Sequence, residues 1–312
     1  MPVTTEGQEH VPSAIGPLAR SLGSIHLVTK HIIERGPWRY DPRCVPIPWR
    51  EDVCQAVQQR PLVIGVMLDD GVVKVHPPVE RIVWDAAKRL QAAGHKLVPW
   101  SSEGHSECID IMVRLRSPRT YFRACSLMTV QDLYFTADGG EDVRRDVNAS
   151  GEPFVPHVQK LVDRAPAISV WDYWQLNKRK RAAQKAYLRR WQETRCPETG
   201  REVDVLLTPA MAYAALPHRH CRWVGYTKFC NLLDYTALVI PGDTVDRAVD
   251  LPKDVPQVAD YQPRNDQDSW NWALYDPEAM HGLPIAIQIV GRQYEEEKVL
   301  GAAKVIESVL KS

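Results

Sequence analysis

The 312-residue sequence has no excess of either charge: 39 Lys and Arg face 39 Asp and Glu. A formal charge of zero gives no electrostatic bias toward nucleic acid or an anionic membrane. No apolar run approaches the ~18 residues of a membrane span. Residues 1–18 also lack a basic start followed by an apolar stretch, so no leader is expected. No pair among the seven cysteines (Cys44, Cys54, Cys108, Cys125, Cys196, Cys221, Cys230) has CxxC spacing. Odd in number and scattered, they indicate reduced thiols in a cytosolic protein rather than a disulfide framework or a zinc site. The sequon Asn148-Ala149-Ser150 has no secretory signal to accompany it and is read as chance. Internal repeats are missing too, as are the GxSxG elbow, the Walker A loop, GxGxxG and HExxH. These absences leave a cytoplasmic protein with no cofactor, no metal and no nucleic-acid or membrane partner.

What is present is ordinary for a soluble globular chain: 44% apolar and 25% charged residues. The length suits one large domain or two small ones. The 24 prolines cluster in the N-terminal stretch and between Pro241 and Pro284, which predicts long irregular connections.

The clearest unit lies in residues 61–100. Leu62-Val63-Ile64-Gly65-Val66-Met67 is continuously apolar, as a strand buried on both faces would be. A helix follows, with Val79, Ile82, Val83, Ala86, Leu90 and Ala93 on one stripe. Gly94 stands where a C′ glycine belongs, and Lys96-Leu97-Val98 begins a second strand. Strand, helix and strand with short links predict a parallel pair with a right-handed crossover. A long helix is predicted over 169–193, capped by Ser169 with Asp172 and burying Trp171, Trp174 and Tyr187. Its run Lys178-Arg179-Lys180-Arg181 has no interleaved aromatic platform and reads as a solvated face. Asp204 to Thr208, Leu238-Val239-Ile240 and Ile285 to Val290 read as further buried strands. The last helix opens on Glu295-Glu296-Glu297, favourable at a positive helix end, and buries Val299, Ala303, Ile306 and Leu310. Alternating strands and helices give an α/β class.

A nucleophile needs a base within hydrogen-bond reach and an oxyanion hole of backbone N–H groups. The single Ser-Ser pair, Ser101-Ser102, lies far from the single Gly-Gly pair, Gly139-Gly140, and reads as a cap for the helix holding Ile109 and Met112. His218-Arg219-His220-Cys221 clusters metal-ligand types, but a site needs three or four ligands, so structural or surface histidines are expected. Cys230 is expected as a small buried hydrophobe. The residues alone thus show an α/β protein without a complete active site.

Three stretches resemble the amidase-signature family, particularly its fungal acetamidase-like branch. The first is Glu6-Gly7-Gln8-Glu9 through Gly16-Pro17-Leu18-Ala19-Arg20-Ser21, with Pro37-Trp38, Pro48-Trp49-Arg50 and the unit from Pro61 to His95. The second is Thr136-Ala137-Asp138-Gly139-Gly140-Glu141-Asp142. The third runs from Val224-Gly225-Tyr226-Thr227 through Asn231-Leu232-Leu233-Asp234-Tyr235 and Tyr275-Asp276-Pro277 to His281-Gly282-Leu283-Pro284 and Gln288-Ile289-Val290-Gly291-Arg292. The resemblance implies part of the amidase-signature fold, a mixed β-sheet flanked by helices, as one truncated domain over 1–312. It implies a hydrolase that splits carboxamides into carboxylate and ammonia or amine, with a small-molecule amide as partner and room for a homo-oligomer.

In that family the nucleophilic serine, a cis-peptide serine relay, a lysine base and the oxyanion hole all precede the stretch resembling Glu6 to Ser21. The N-terminal catalytic segment is therefore expected to be missing, no residue here inherits a catalytic role, and the isolated chain is expected to be inactive. Residues at about 114–131, with Arg116, Arg119, Arg123 and Cys125, exceed the family pattern and read as an insertion, of which translated intron is one origin. Thr236 and Gly242-Asp243 also depart from it. In the family the C-terminal region closes over the acyl pocket. Asn231, Asp234, Tyr235, Gly242 and Asp243 are accordingly either substrate-pocket walls or turns packing the sheet. Three readings stay open: an amidase whose catalytic half lies elsewhere, a non-catalytic binding or assembly protein on the same fold, and a truncated product that does not fold stably.

Overall fold

The computed structural model describes residues 7–112, 134–163, 166–251 and 260–312. The expected insertion at 114–131 lies outside them. In chain order, α1 (Leu22–Glu34) starts from Ser21, whose Oγ accepts the Ser24 N–H at 3.1 Å, and is followed by a 3-10 turn at Pro37–Arg39. Then come α2 (Glu51–Gln58), β1 (Val63–Val66), α3 (Pro77–Ala92), β2 (Lys96–Pro99) and α4 (His105–Met112). Next are α5 (Glu141–Ser150), α6 (Pro156–Val162), α7 (Val170–Glu193), β3 (Val205–Pro209), α8 (Gly225–Leu233) and β4 (Ala237–Thr244). The order closes with α9 (Asp266–Ala273), α10 (Pro277–Met280), β5 (Pro284–Val290) and α11 (Glu296–Lys311).

The five strands form one mixed sheet in the order β2-β1-β3-β5-β4. β1 pairs parallel with β2 and β3, whereas β5 is antiparallel to both β3 and β4. β1 and β3 are buried throughout, as their unbroken apolar sequence requires. Cover comes from two helical layers. A Cβ at Gly242 would lie 2.8 Å from Ile82 of α3 and 3.2 Å from Ile287, so Ile287 faces α3. The next residue, Gln288, faces the other way and donates to the Tyr226 carbonyl of α8 at 2.9 Å. The expected α/β class with a mixed sheet flanked by helices is what the structure shows.

The predicted β1-α3-β2 unit is present, with Gly94 at φ +93° directly after the α3 cap. Ala93 is that cap and is exposed, so the stripe ends at Leu90. α7 begins at Ser169, whose Oγ accepts the Asp172 N–H at 3.1 Å. Its buried stripe is Leu176, Lys180, Ala183, Tyr187 and Trp191, spaced four, three, four and four. Tyr187 lies on it as expected. Trp171 and Trp174 do not: at 100° per residue they point away, and they are 66% and 61% exposed. The same phase divides the basic run. Lys178, Arg179 and Arg181 are solvated, with Arg179 on Glu107 at 2.8 Å. Lys180 is buried, donates to the His10 carbonyl, and has its pKa lowered by that burial.

Two further expectations are corrected. Leu238-Val239-Ile240 is not buried on both faces, because β4 is an edge strand paired on one side only; Val239 is 47% exposed. Ser101-Ser102 does not cap α4 with a side chain. Ser101 Oγ accepts the Glu103 N–H at 3.2 Å, in the turn before the helix.

One carboxylate fixes the start of the central strand pair. Asp204, buried just before β3, accepts the Val63 N–H of β1 at 2.8 Å. It also takes Arg60 in a fork, at 2.8 and 2.7 Å, and Arg201 at 2.8 Å. Asp204→Asn should lower unfolding free energy by about 1.5–3 kcal/mol, the range for hydrogen bonds to charged groups. Glu198→Gln, which breaks the exposed pair to Lys96, should leave the urea midpoint unchanged. Equal midpoint shifts in the two variants would contradict the clasp.

Candidate functional site

Strand directions choose one edge of the sheet for function. β1, β2, β3 and β4 all run the same way, since β5 reverses between β3 and β4. Their carboxyl ends and the loops that follow share one edge, where ligands of open α/β sheets bind. That edge carries 67–76 after β1, 100–104 after β2, 210–224 after β3 and the end of β4.

A buried polar cluster joins these loops. Asp70 is fully buried, and its Oδ1 accepts the N–H groups of Val72 and Val73 at 2.8 and 2.7 Å. Its Oδ2 accepts Trp223 Nε1–H at 3.0 Å. The Tyr226 hydroxyl accepts the Asp70 N–H at 3.1 Å and donates to the Val73 carbonyl at 2.8 Å. Tyr213 donates to the Trp223 carbonyl at 2.6 Å, and the His76 N–H donates to Ala212 at 2.7 Å. Gln288 bridges Thr208 and Tyr226 from β5. Burial pushes the Asp70 carboxyl up to about 7, against the pull of its N–H donors. Burial acts on neighbouring Asp69 in the same direction, but the Arg264 guanidinium at 2.5 Å and the Gly71 N–H outweigh it and hold that carboxyl below its ordinary value.

A carboxyl near neutrality is a general acid–base candidate. Asp70, however, is closed off, with both oxygens engaged, so it shapes the loop rather than reaching a substrate. Sequence reasoning missed it, although Asp69-Asp70-Gly71 directly after an apolar strand was a signal. Two hydroxyls at this edge are engaged as well: Ser101 in its turn, and Thr208 on Pro209 and Gln288. Among the described residues no serine hydroxyl is hydrogen-bonded to a lysine or histidine side chain, and no group of three His, Cys, Asp or Glu could hold a metal ion. His218 and His220 are exposed, with His220 Nδ1 at 2.9 Å from the His218 carbonyl oxygen. Cys230 is buried, and burial raises its thiol.

The five expected pocket residues split between two edges. Gly242 and Asp243 end β4 at the carboxyl edge. Gly242 fits because α3 crosses closely: a Cβ would sit 2.8 Å from Ile82 Cγ2 and 3.0 Å from the Ile285 carbonyl oxygen. Asp243 is exposed, 3.9 Å from Arg81, which forks onto Asp250 at 2.7 and 2.8 Å. Asn231, Asp234 and Tyr235 lie toward the start of β4. Tyr235 lies two residues before β4 and Gly242 near its far end, five strand steps or about 17 Å beyond Ala237. Asn231 is exposed on α8; Asp234 closes that helix at φ +60° and accepts Gln293 Nε2–H at 2.5 Å. Tyr235 packs edge-on to Trp191, ring centres 5.7 Å apart. An open depression lined by Arg195, Arg201, Arg292 and Lys298 also lies away from the carboxyl edge, near the start of β3, but these cations are paired with Glu202, Asp204 and Glu295.

The Thr136 to Asp142 motif builds a turn. Gly139 and Gly140 have φ of +77° and +83°, and the Asp138 carboxylate accepts the Gly140 and Asp142 N–H groups at 2.7 and 2.8 Å. A Cβ at Gly139 would lie 2.7 Å from the Ala167 nitrogen, so neither conformation nor space admits a side chain.

Comparison with known proteins places these features in a family. A family model described as Amidase matches residues 2–300. "Amidase 1" of Gibberella moniliformis is 50% identical over 308 residues, covering 99% of this chain and 54% of that protein. "Amidase 2" of the same fungus is 46% identical over 297 residues (95% and 50%), and "Acetamidase" of Aspergillus oryzae is 34% identical over 310 (98% and 52%). The chain spans about half the length of the curated relatives it matches. Among solved structures, "Fatty acid amide hydrolase" superposes with a TM-score of 0.81 at 23% identity, covering 99% of this chain and 50% of that one; this likeness shows the fold.

Two outcomes test the packing at this edge. Asp70 carries a folded-state value of about 7 against an ordinary 3.8, so the folded protein binds its proton more tightly. The stabilisation this supplies is complete below about pH 4 and is lost as pH rises through about 7. Urea unfolding of wild type and Asp70→Asn should therefore shift in favour of the variant between pH 5 and pH 8; a pH-independent difference would contradict this. Gly242→Ala should cost ~1–3 kcal/mol by overpacking against Ile82, and an unchanged melting temperature would show that α3 yields there.

Proposed function

The chain belongs to the amidase family, and from that membership we propose that it carries the C-terminal half of a carboxamide hydrolase. The substrate class is small linear amides, split into a carboxylate and ammonia or an amine. The supporting observation is a family match over residues 2–300 in a chain half as long as its relatives.

In such a hydrolase a serine oxygen adds to the amide carbonyl and the nitrogen leaves with a proton. Water then cleaves the acyl ester, and backbone N–H groups hold the oxyanion throughout. We assign the nucleophile, relay, base and oxyanion hole to no residue of this chain; Ser21, Ser101 and Ser169 serve turns and helix caps. The wall role is proposed for Gly242 and Asp243, whose strand end shares the carboxyl edge with the Asp69–Asp70 loop. Asn231, Asp234 and Tyr235 are proposed to close α8 and pack the opposite edge. The proposed setting is cytoplasmic; among the described residues no helix is long and apolar enough to cross a membrane.

Without the covalent route, hydrolysis by residues 1–312 should not exceed the buffer rate; oxyanion stabilisation by itself is worth only ~10²–10³-fold. Ammonia release from acetamide and benzamide by the purified chain measures this directly. Turnover clearly above buffer would overturn the assignment.

A further inference from the structure

Helix α9 docks without an apolar face. The residues it buries are Gln267, Asp268 and Asn271, all polar, while Trp270 and Trp272 stay only partly covered. An amphipathic helix ordinarily turns its apolar stripe to the fold; here side-chain amides and a carboxylate take that place. Asn265, Asp268 and Asn271, three residues apart, share one face and grip the backbone of the loop after β1. Asn265 donates to the Val72 carbonyl at 2.8 Å. Asp268 accepts the Lys74 N–H at 2.8 Å, and Asn271 donates to the Lys74 carbonyl at 2.8 Å. The Asn271 carbonyl oxygen lies 2.7 Å from His76 Nε2, and Arg264 forks onto Asp69 at 2.7 and 2.5 Å.

The same loop is held from inside by other groups. Asp70 accepts the Val72 and Val73 N–H groups, Tyr226 donates to the Val73 carbonyl, and the His76 N–H donates to Ala212. Only the outer anchors belong to α9, whose segment is also bonded within itself. Tyr261 packs on Trp272, ring centres 4.7 Å apart, and donates to Asp268, while Asn265 caps the helix by accepting the Gln267 and Asp268 N–H groups at 3.0 Å. Trp270 stands edge-on to Tyr213 at 6.2 Å, with the Arg222 guanidinium 5.7 Å from its ring, so the helix reaches the loop after β3 as well. Just beyond it, Tyr275 is fully buried and donates to the Leu251 carbonyl at 2.7 Å, a fixed root.

Groups at a polar interface exchange their hydrogen bonds for bonds to water when they separate, so each contact is worth little net. Segments held in this way open at low free energy while the rest of a fold stays closed. We propose that residues 261–274, independently of the hydrolase reading, form a latch that lifts as a unit from its root at Tyr275. Closed, it fixes the outer side of two loops at the carboxyl edge. Open, it frees them while Asp70 and the sheet keep their bonds.

Native-state hydrogen exchange of residues 1–312, resolved to single amides, tests this. Asp268 of the latch holds the Lys74 N–H and Asp70 holds the Val73 N–H, so neighbouring amides report on the two sets of anchors. The protection factor of Lys74 is expected to lie at least tenfold below that of Val73. Arg264→Gln, at a partly exposed pair, should lower Lys74 protection threefold or more, with Val73 and the melting temperature unchanged. Asn265→Ala, which removes the helix cap and the bond to Val72, should act in the same direction. Arg247→Gln, which breaks the exposed pair to Glu278 of α10, should change neither amide. Protection of the two amides within tenfold of each other, a variant that shifts both alike, or no response of Lys74 to either latch variant would overturn the latch.

Discussion

The pairing of β1 with β3 is the constraint from which the rest follows. Both strands are apolar on both faces and fully buried, so they fold only with helices above and below. Asp204 sets their offset by accepting a β1 N–H while two arginines hold its carboxylate. With that register fixed, four strands point the same way, and the loops after them meet at one edge. Asp70 then ties the β1 loop to the segment after β3, its buried carboxylate accepting from Trp223 and its backbone N–H donating to the Tyr226 hydroxyl of α8.

Much of this was legible in local sequence. The apolar run at 62–67, the stripe from Val79 to Leu90 and Gly94 specify β1-α3-β2 without reference to distant residues. Ser169 with Asp172 marks the start of α7 for the same reason. What escaped was non-local. Whether Leu238-Val239-Ile240 is central or at an edge depends on strand order, which its own residues do not encode. Trp171 and Trp174 are apolar but lie off the α7 stripe, and their phase emerges only once Tyr187 and Trp191 are placed. Asp70 meets Trp223, a partner 153 residues away, so a buried carboxylate looked like loop polarity.

The candidate site was legible in part. The resemblance named five residues at the two ends of β4, and the structure separates them by the length of that strand. Gly242 has a packing reason to be glycine, the approach of Ile82; Asp234 and Tyr235 have structural reasons as well, a helix end and an aromatic cluster.

The central claim is that these residues hold no activated serine. Intact-mass spectrometry of residues 1–312 after incubation with a fluorophosphonate, which phosphonylates activated serines and spares ordinary ones, tests it most directly. The account predicts an unmodified mass. A stoichiometric adduct mapped to a single serine would contradict it.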